Sequence, residues 1–88
     1  MAVSAIQHLI AQLKELRKIH HLSQEKFAEL SGISYKYYQA VEAGRKRELR
    51  LSTLERIARA YGIEVWQLLA PQTPKLTKRV VSKIKRIA

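Results

Sequence analysis

Apolar residues recur every three or four positions along most of the chain, and no stretch alternates as a β-strand would. This pattern predicts an all-α protein. The first helix opens with a capping box formed by Ser4 and Gln7 and carries its apolar residues on one side. Those residues are Ile6, Leu9, Ile10, Leu13 and Leu16.

Four more helices are predicted from start signals, stop signals and apolar spacing. Ser23 caps a helix over residues 24–30, and Ser34 caps another over residues 35–43. A capping box of Ser52 and Glu55 is expected to open a fourth helix, which Gly62 stops. A short fifth helix carries Val65, Trp66, Leu68 and Leu69, with Trp66 expected in the core or in a dimer contact.

The end of the chain has the pattern of a sixth, amphipathic helix over residues 74–88. Thr73 and Pro74 form its start signal, and an apolar stripe follows within an arc of about 80°. The stripe consists of Leu76, Val80, Ile84 and Ile87. The predicted organisation is therefore a domain over residues 1–70, a linker over 71–74 and a basic amphipathic tail over 75–88.

Length and composition suit one small globular domain: the chain has 88 residues, of which 47% are hydrophobic and 27% charged. Without cysteine it has neither disulfides nor thiolate metal sites, and no apolar run approaches the length of about 20 residues that spans a bilayer. The N-terminus lacks the features of a signal peptide. A cytoplasmic protein is expected.

The net charge of +10 predicts a polyanionic partner, either nucleic acid or an anionic membrane surface. The chain lacks the usual signs of catalysis: no serine has a recognisable base partner, and no glycine-rich phosphate loop is present. His8, His20 and His21 do not form a metal-binding pattern. We therefore expect no enzyme activity, no cofactor and no metal site.

Residues 24–43 have the pattern of a helix-turn-helix, which needs a small residue where two helices cross and a glycine in the turn. Ala28 and Gly32 meet these needs and lie four positions apart. Apolar residues on both sides supply the contacts between the helices. They are Phe27, Ile33, Tyr38 and Val41.

The chain resembles the XRE family, the Cro and phage-repressor type of helix-turn-helix, over about residues 6–70. The motifs are LSQE at 22–25, FA at 27–28, SGIS at 31–34, VEAG at 41–44, LERIA at 54–58, YGI at 61–63 and LL at 68–69. The resemblance implies a compact five-helix repressor-like domain, to which the tail can add a sixth helix. It also implies that the third helix enters the DNA major groove, usually in a dimer on a two-fold operator.

Four residues on the outward side of helix 35–43 are the candidates for reading bases: Tyr35, Lys36, Gln39 and Ala40. Lys36 can donate to guanine and Gln39 can pair with adenine, while Ala40 can contact a thymine methyl group. A solvated helix face is the alternative interpretation of the same pattern.

A second set of candidates is expected to bind phosphate and to position the protein on the duplex. The set is Gln24, Tyr37, Arg45, Lys46, Arg47 and Arg50. The resemblance gives Gln24 this role and pairs Arg17 with Glu42 in a structural ion pair. Two departures from the family are Ser31, where an apolar residue is usual, and Ala43, where a polar residue often binds phosphate.

The leading hypothesis is a sequence-specific transcriptional regulator that binds double-stranded DNA as a homodimer in the cytoplasm, at the nucleoid of a prokaryote or on phage DNA. An alternative is the antitoxin of a toxin–antitoxin pair, with residues 74–88 binding a protein partner. A lesser alternative is binding to a membrane surface through the basic tail. The apolar stripe of the tail can pack on its own domain, on a second subunit or on a protein partner.

Overall fold

The structure is a computed structural model that describes residues 4–87, except for the side chain of Ile87. All regular secondary structure within these residues is helical, which confirms the predicted all-α fold with a sixth helix. The helices are α1 (Ala5–Ile19), α2 (Gln24–Ser31), α3 (Tyr35–Glu42), α4 (Leu51–Tyr61), α5 (Val65–Leu68) and α6 (Lys78–Ile87).

The first three helices begin at side-chain caps that the sequence predicts. Ser4 and Gln7 form a reciprocal capping box at the start of α1. The hydroxyl of Ser23 accepts from the backbone N–H of Lys26 at 3.0 Å, and that of Ser34 accepts from Tyr37 at 3.2 Å. Each cap binds a backbone N–H that has no partner inside its own helix, and so fixes where the helix starts.

Two predicted helix starts are wrong. Helix α4 begins at Leu51 with Arg50 as its N-cap, so Ser52 lies inside the helix and forms no capping box with Glu55. Helix α6 begins at Lys78, where the hydroxyl of Thr77 accepts from the backbone N–H of Val80 at 3.3 Å. The expected cap, Thr73, lies five residues before the first residue of α6, and its hydroxyl donates to Gln12 Oε1 at 2.7 Å.

Three aromatic rings pack together at the centre of the core. The Phe27 ring stacks on Tyr61 with centroids 4.7 Å apart and lies tilted against Tyr38 at 5.0 Å. Fully buried aliphatic side chains from α1, α3, α4, α5 and α6 surround the rings: Leu13, Leu16, Val41, Ile57, Leu68 and Ile84. Helix α3 therefore packs on a core that is formed jointly with the other five helices.

Helix α6 packs on its own domain. Ile84 is only 1% exposed and belongs to the core, while Val80 packs against its edge. The approach to the end of α4 is close, because a Cβ atom placed on Gly62 would lie 2.6 Å from Val80 Cγ2. The sequence left three partners open for the apolar stripe: its own domain, a second subunit or another protein. In the structure the stripe packs on its own domain.

The segment between α5 and α6 is held against α1 by Gln12, a buried polar residue. Its Nε2 donates to the carbonyl oxygens of Ala70 at 3.2 Å and Gln72 at 3.1 Å, while its Oε1 accepts from Thr73. His8 Nε2 donates to the same Ala70 carbonyl at 2.6 Å. These bonds satisfy the buried amide and set the path along which the chain reaches α6.

Candidate nucleic-acid interface

The turn between α2 and α3 is built on Gly32, which takes a left-handed conformation with φ +73°. Ala28 is buried where the two helices meet. Ser31, which departs from the family pattern, turns its hydroxyl back on α2 and donates to the carbonyl oxygens of Phe27 at 2.9 Å and Ala28 at 3.2 Å. A polar side chain is thereby accommodated at this position without disturbing the turn.

A single carboxylate, Glu42, ties α3 to both α1 and α2. Arg17 donates to it twice, from Nε and from Nη2, with both distances 2.7 Å. Gln24 Nε2 donates to Glu42 Oε1 at 3.0 Å, and the hydroxyl of Tyr38 donates to Oε2. The three bonds from Arg17 and Gln24 orient α3 relative to the end of α1 and to the start of α2, while the Tyr38 bond lies within α3.

Burial alone would raise the pKa of Glu42, but hydrogen bonds from Arg17, Tyr38 and Gln24 outweigh it and lower the pKa. The hydrogen bond to Glu42 raises the pKa of Arg17 in turn. Glu42 is 2% exposed, so its negative charge is both buried and neutralised rather than presented on the outer face of α3.

The residues expected to read bases lie along the outer side of α3. Tyr35, Lys36 and Gln39 are exposed and Ala40 is half-buried, whereas Tyr38 and Val41 face the core. Gln39 Nε2 lies 3.5 Å from the Tyr35 hydroxyl. We call these four residues the base-reading face. It combines a cation, an amide, a phenol and a methyl group, all types that base edges can bind.

The candidate phosphate ligands flank this face on two sides. Gln24 begins α2 and keeps one amide N–H beyond the one that it gives to Glu42. On the other side, residues 45–50 form an exposed basic loop with Arg45, Lys46, Arg47 and Arg50. Lys46 Nζ lies 5.3 Å from the centroid of the Tyr37 ring, a cation–π contact that joins the loop to α3.

A cleft beside the start of α3 adds residues that sequence reasoning missed. Ser34 and Tyr37 line one side of it, and Arg50 and the first turns of α4 line the other. The residues missed are Ser52, Thr53 and Arg56. Because the sequence placed the N-cap of α4 two residues too late, at Ser52 instead of Arg50, the backbone N–H groups beside this cleft were assigned to a side-chain cap that the structure lacks.

Other features of the described chain carry little chemistry. Within residues 4–87, no group of three or more acidic or histidine side chains is placed to hold a metal ion. In the same span, no helix is both long and apolar enough to cross a membrane. Trp66 is 68% exposed, so of the two places expected for it, the core and a dimer contact, the core is excluded. Tyr61 is fully buried.

The comparisons with known proteins agree with this geometry. A helix-turn-helix family model matches residues 13–65, which include α2, α3 and α4. The chain belongs to the XRE-type helix-turn-helix family. Members of this family use a helix-turn-helix to bind DNA, so this member is a DNA-binding transcriptional regulator.

Two relatives support that statement. A control protein from Serratia marcescens, C.SmaI, is 38% identical over 68 residues, covering 76% of this chain and 80% of its own length. The cryptic phage CTXphi transcriptional repressor RstR of Vibrio cholerae is 29% identical over 77 residues, covering 88% of this chain and 68% of its own length. No solved structure is significantly similar to the chain.

Proposed function

We propose that this regulator binds an operator with α3 in the major groove and reads bases through Tyr35, Lys36, Gln39 and Ala40. The observation that carries the proposal is the fixed orientation of α3. Glu42 ties its inner side to Arg17 of α1 and Gln24 of α2, and Tyr38 packs on Phe27 of α2, which leaves the base-reading face outward. A rigid helix with exposed donors and acceptors can hold a defined register against base edges.

Phosphate contacts on both sides of the groove complete the proposed interface. Gln24 supplies one side, with the partly positive N-terminal end of α2. The basic loop and Tyr37 supply the other side, and Ser52, Thr53 and Arg56 extend it along the neighbouring cleft. Ala43 is exposed at the end of α3 and offers no side-chain donor, so we assign it no phosphate contact.

We also propose that the protein acts as a homodimer and that α5 supplies part of the dimer surface. Trp66 and Leu69 are 68% and 41% exposed, which is unusual for large apolar side chains that lie close together in the chain. A second copy docked on this patch would pair two reading helices, as a two-fold operator requires. Sedimentation of Trp66→Ala, expected to be monomeric where the parent protein is dimeric, tests this point.

Selection of bound sites from random DNA, followed by salt-dependent titration, tests the base-reading assignment. Lys36→Ala should weaken the selected site by about 1–3 kcal/mol and relax preference at one base pair. Arg45→Ala and Arg47→Ala should weaken every sequence and flatten the salt dependence. If Lys36→Ala weakens all sequences equally, Lys36 contacts phosphate and does not read bases. An unchanged salt slope in the two arginine variants would remove the loop from the interface.

The proposed action is occupancy of DNA rather than catalysis, with the protein located on chromosomal or phage DNA in the cytoplasm. The name of one relative, a transcriptional repressor, supports repression as the outcome. The antitoxin alternative loses its main support because Ile84 and Val80 of the tail pack on the chain's own domain. The same packing removes the apolar face with which the tail would lie on a membrane surface.

A further inference from the structure

We propose that a line of four cations, here called the basic track, binds the phosphate backbone of duplex DNA that flanks the bases read by α3. The track consists of Arg50, Arg56, Arg59 and Lys83. It begins beside the base-reading face, continues along α4 and ends on α6. The inference rests on the proposed function and extends it to DNA outside the reading helix.

Two neighbouring clefts that share Arg56 define the track. The first, described above, runs from Tyr37 and Arg50 to Arg56. The second is lined by Arg56 and Arg59 of α4 and by Lys83 of α6. Its other lining residues are Leu30, Ser31 and Ala60. No acidic side chain lines either cleft in the described part of the chain, although Arg59 also borders a third cleft that contains Glu55 and Glu64. The cations that line the two clefts favour an anion there.

The direction of the track points to flanking DNA. Arg56 Nη1 donates to the backbone carbonyl of Gly32 at 3.2 Å, which holds the start of the second cleft against the turn that precedes α3. Arg59 lies one helical turn further along the same side of α4. We therefore expect a duplex that continues past the N-terminal end of α3 to meet Arg59 and Lys83 next.

The exposure of the cations favours a polymer over a small anion. Arg56, Arg59 and Lys83 are all exposed, and with Arg50 they are spread over two neighbouring surface clefts instead of meeting in one buried pocket. Such a row matches a phosphate backbone, whose charges also repeat along a line. The position of Lys83 depends on the docking of α6, which gives the packed tail a part in DNA binding.

The test compares a short duplex that ends at the selected site with a long duplex that continues for about 10 base pairs, one helical turn, at each end. Binding of the full-length protein is measured against salt for Arg59→Gln and Lys83→Gln. Lys85→Gln is the matched control: it removes the same charge from the same helix, but Lys85 lines a different cleft with His20 and His21.

We expect the parent protein to bind the long duplex more tightly, with a salt slope steeper by about 0.9 for each phosphate gained. Arg59→Gln and Lys83→Gln should each reduce this gain, leave the short duplex unaffected and keep the parent thermal melting curve. Lys85→Gln should behave as the parent protein.

Equal binding of the two duplexes by the parent protein would overturn the proposal, as would an equal loss of the gain in Lys85→Gln. If instead the proposed function is wrong, and α3 does not read bases, the short selected duplex should bind no better than a short scrambled duplex. The dependence on duplex length is measured on scrambled DNA as well, so the two failures are distinguishable.

Discussion

Arg17 and Glu42 lie 25 residues apart in the chain and form a bidentate ion pair, in which two parallel hydrogen bonds both have donor–acceptor distances of 2.7 Å. The third donor of Arg17, Nη1, binds the carbonyl oxygen of Leu22 at 2.9 Å. The guanidinium group therefore joins the end of α1, the loop before α2 and the last residue of α3. Because the carboxylate is buried, removing either partner leaves the other without its main counter-charge.

Thermodynamic coupling of this pair is the first prediction. Arg17→Met and Glu42→Gln should each destabilise the protein by about 3–5 kcal/mol, since each leaves a partly or fully buried polar group without its partner. The double variant should cost less than the sum, with a coupling free energy of about 1 kcal/mol or more. Denaturant unfolding of the four proteins measures the coupling, and additive losses would show that the two residues act independently.

The lowered pKa of Glu42 predicts a loss of stability in acid. The ordinary glutamate pKa is about 4.3, so below that pH the unfolded chain binds a proton at this carboxylate more readily than the folded protein does. The free energy of unfolding should therefore fall as pH decreases from 5 to 3. The stability difference between the parent protein and Glu42→Gln should shrink over this range; a constant difference would contradict the assignment.

Loss of the hydroxyl group should have different effects on stability at the two buried tyrosines Tyr38 and Tyr61. Tyr38→Phe removes a donor from Glu42 and should destabilise the protein by about 1–3 kcal/mol. Tyr61 Oη is the one buried side-chain polar atom within the described chain that has no hydrogen-bond partner. Tyr61→Phe should therefore be neutral or stabilising, because it removes a polar atom that folding desolvates without compensation. Urea midpoints compare the two, and equal losses would contradict this account.

Alanine substitutions at Gly62 and Gly32 distinguish the cost of backbone strain from the cost of a steric clash. Both have positive φ, +67° and +73°, so alanine at either position costs about 1 kcal/mol of backbone strain. Only at Gly62 would the added Cβ meet another side chain, Val80, at 2.6 Å. Gly62→Ala should thus cost more than Gly32→Ala and should expose α6 to proteases.

Truncating the opposing side chain is the matching control. Adding Val80→Ala to Gly62→Ala should recover part of the excess cost and protect α6 again. If the two glycine variants are equally stable and equally resistant to proteolysis, Val80 does not constrain position 62.

The sequence predicts this fold well where local signals agree with one another. Apolar spacing and the serine caps place the start of α1 and both ends of α2 and α3 within one residue of the observed positions. The starts of α4 and α6 were wrong for a physical reason: a capping hydroxyl is recognisable in sequence, but its partner is not. Thr73 has the features of a cap, yet its hydroxyl binds Gln12, 61 residues away.

The candidate site likewise has features that the sequence predicts and features that depend on three-dimensional packing. The Arg17–Glu42 pair came from the family resemblance, while the bonds from Gln24 and Tyr38 to the same carboxylate depend on three-dimensional packing that spacing does not reveal. The roles of Tyr35, Lys36, Gln39 and Ala40 stay predictions, because exposure is shared by base-reading and merely solvated side chains. The exposure of Trp66 could not be predicted from the sequence either, because an apolar residue in a short helix can lie on the core side or on the solvent side.

The docking of α6 has a consequence for the kinetics of folding. Small helical proteins fold fast because most of their contacts join residues close in sequence. Here the bonds from Gln12 and His8 span 58 to 62 residues, and Ile84 enters a core that α1 begins. Closing such long loops has an entropic cost that comes before any reward in contacts. We therefore expect the helix-turn-helix, built from near neighbours, to form early, and the segment from α5 to α6 to dock last and to detach first.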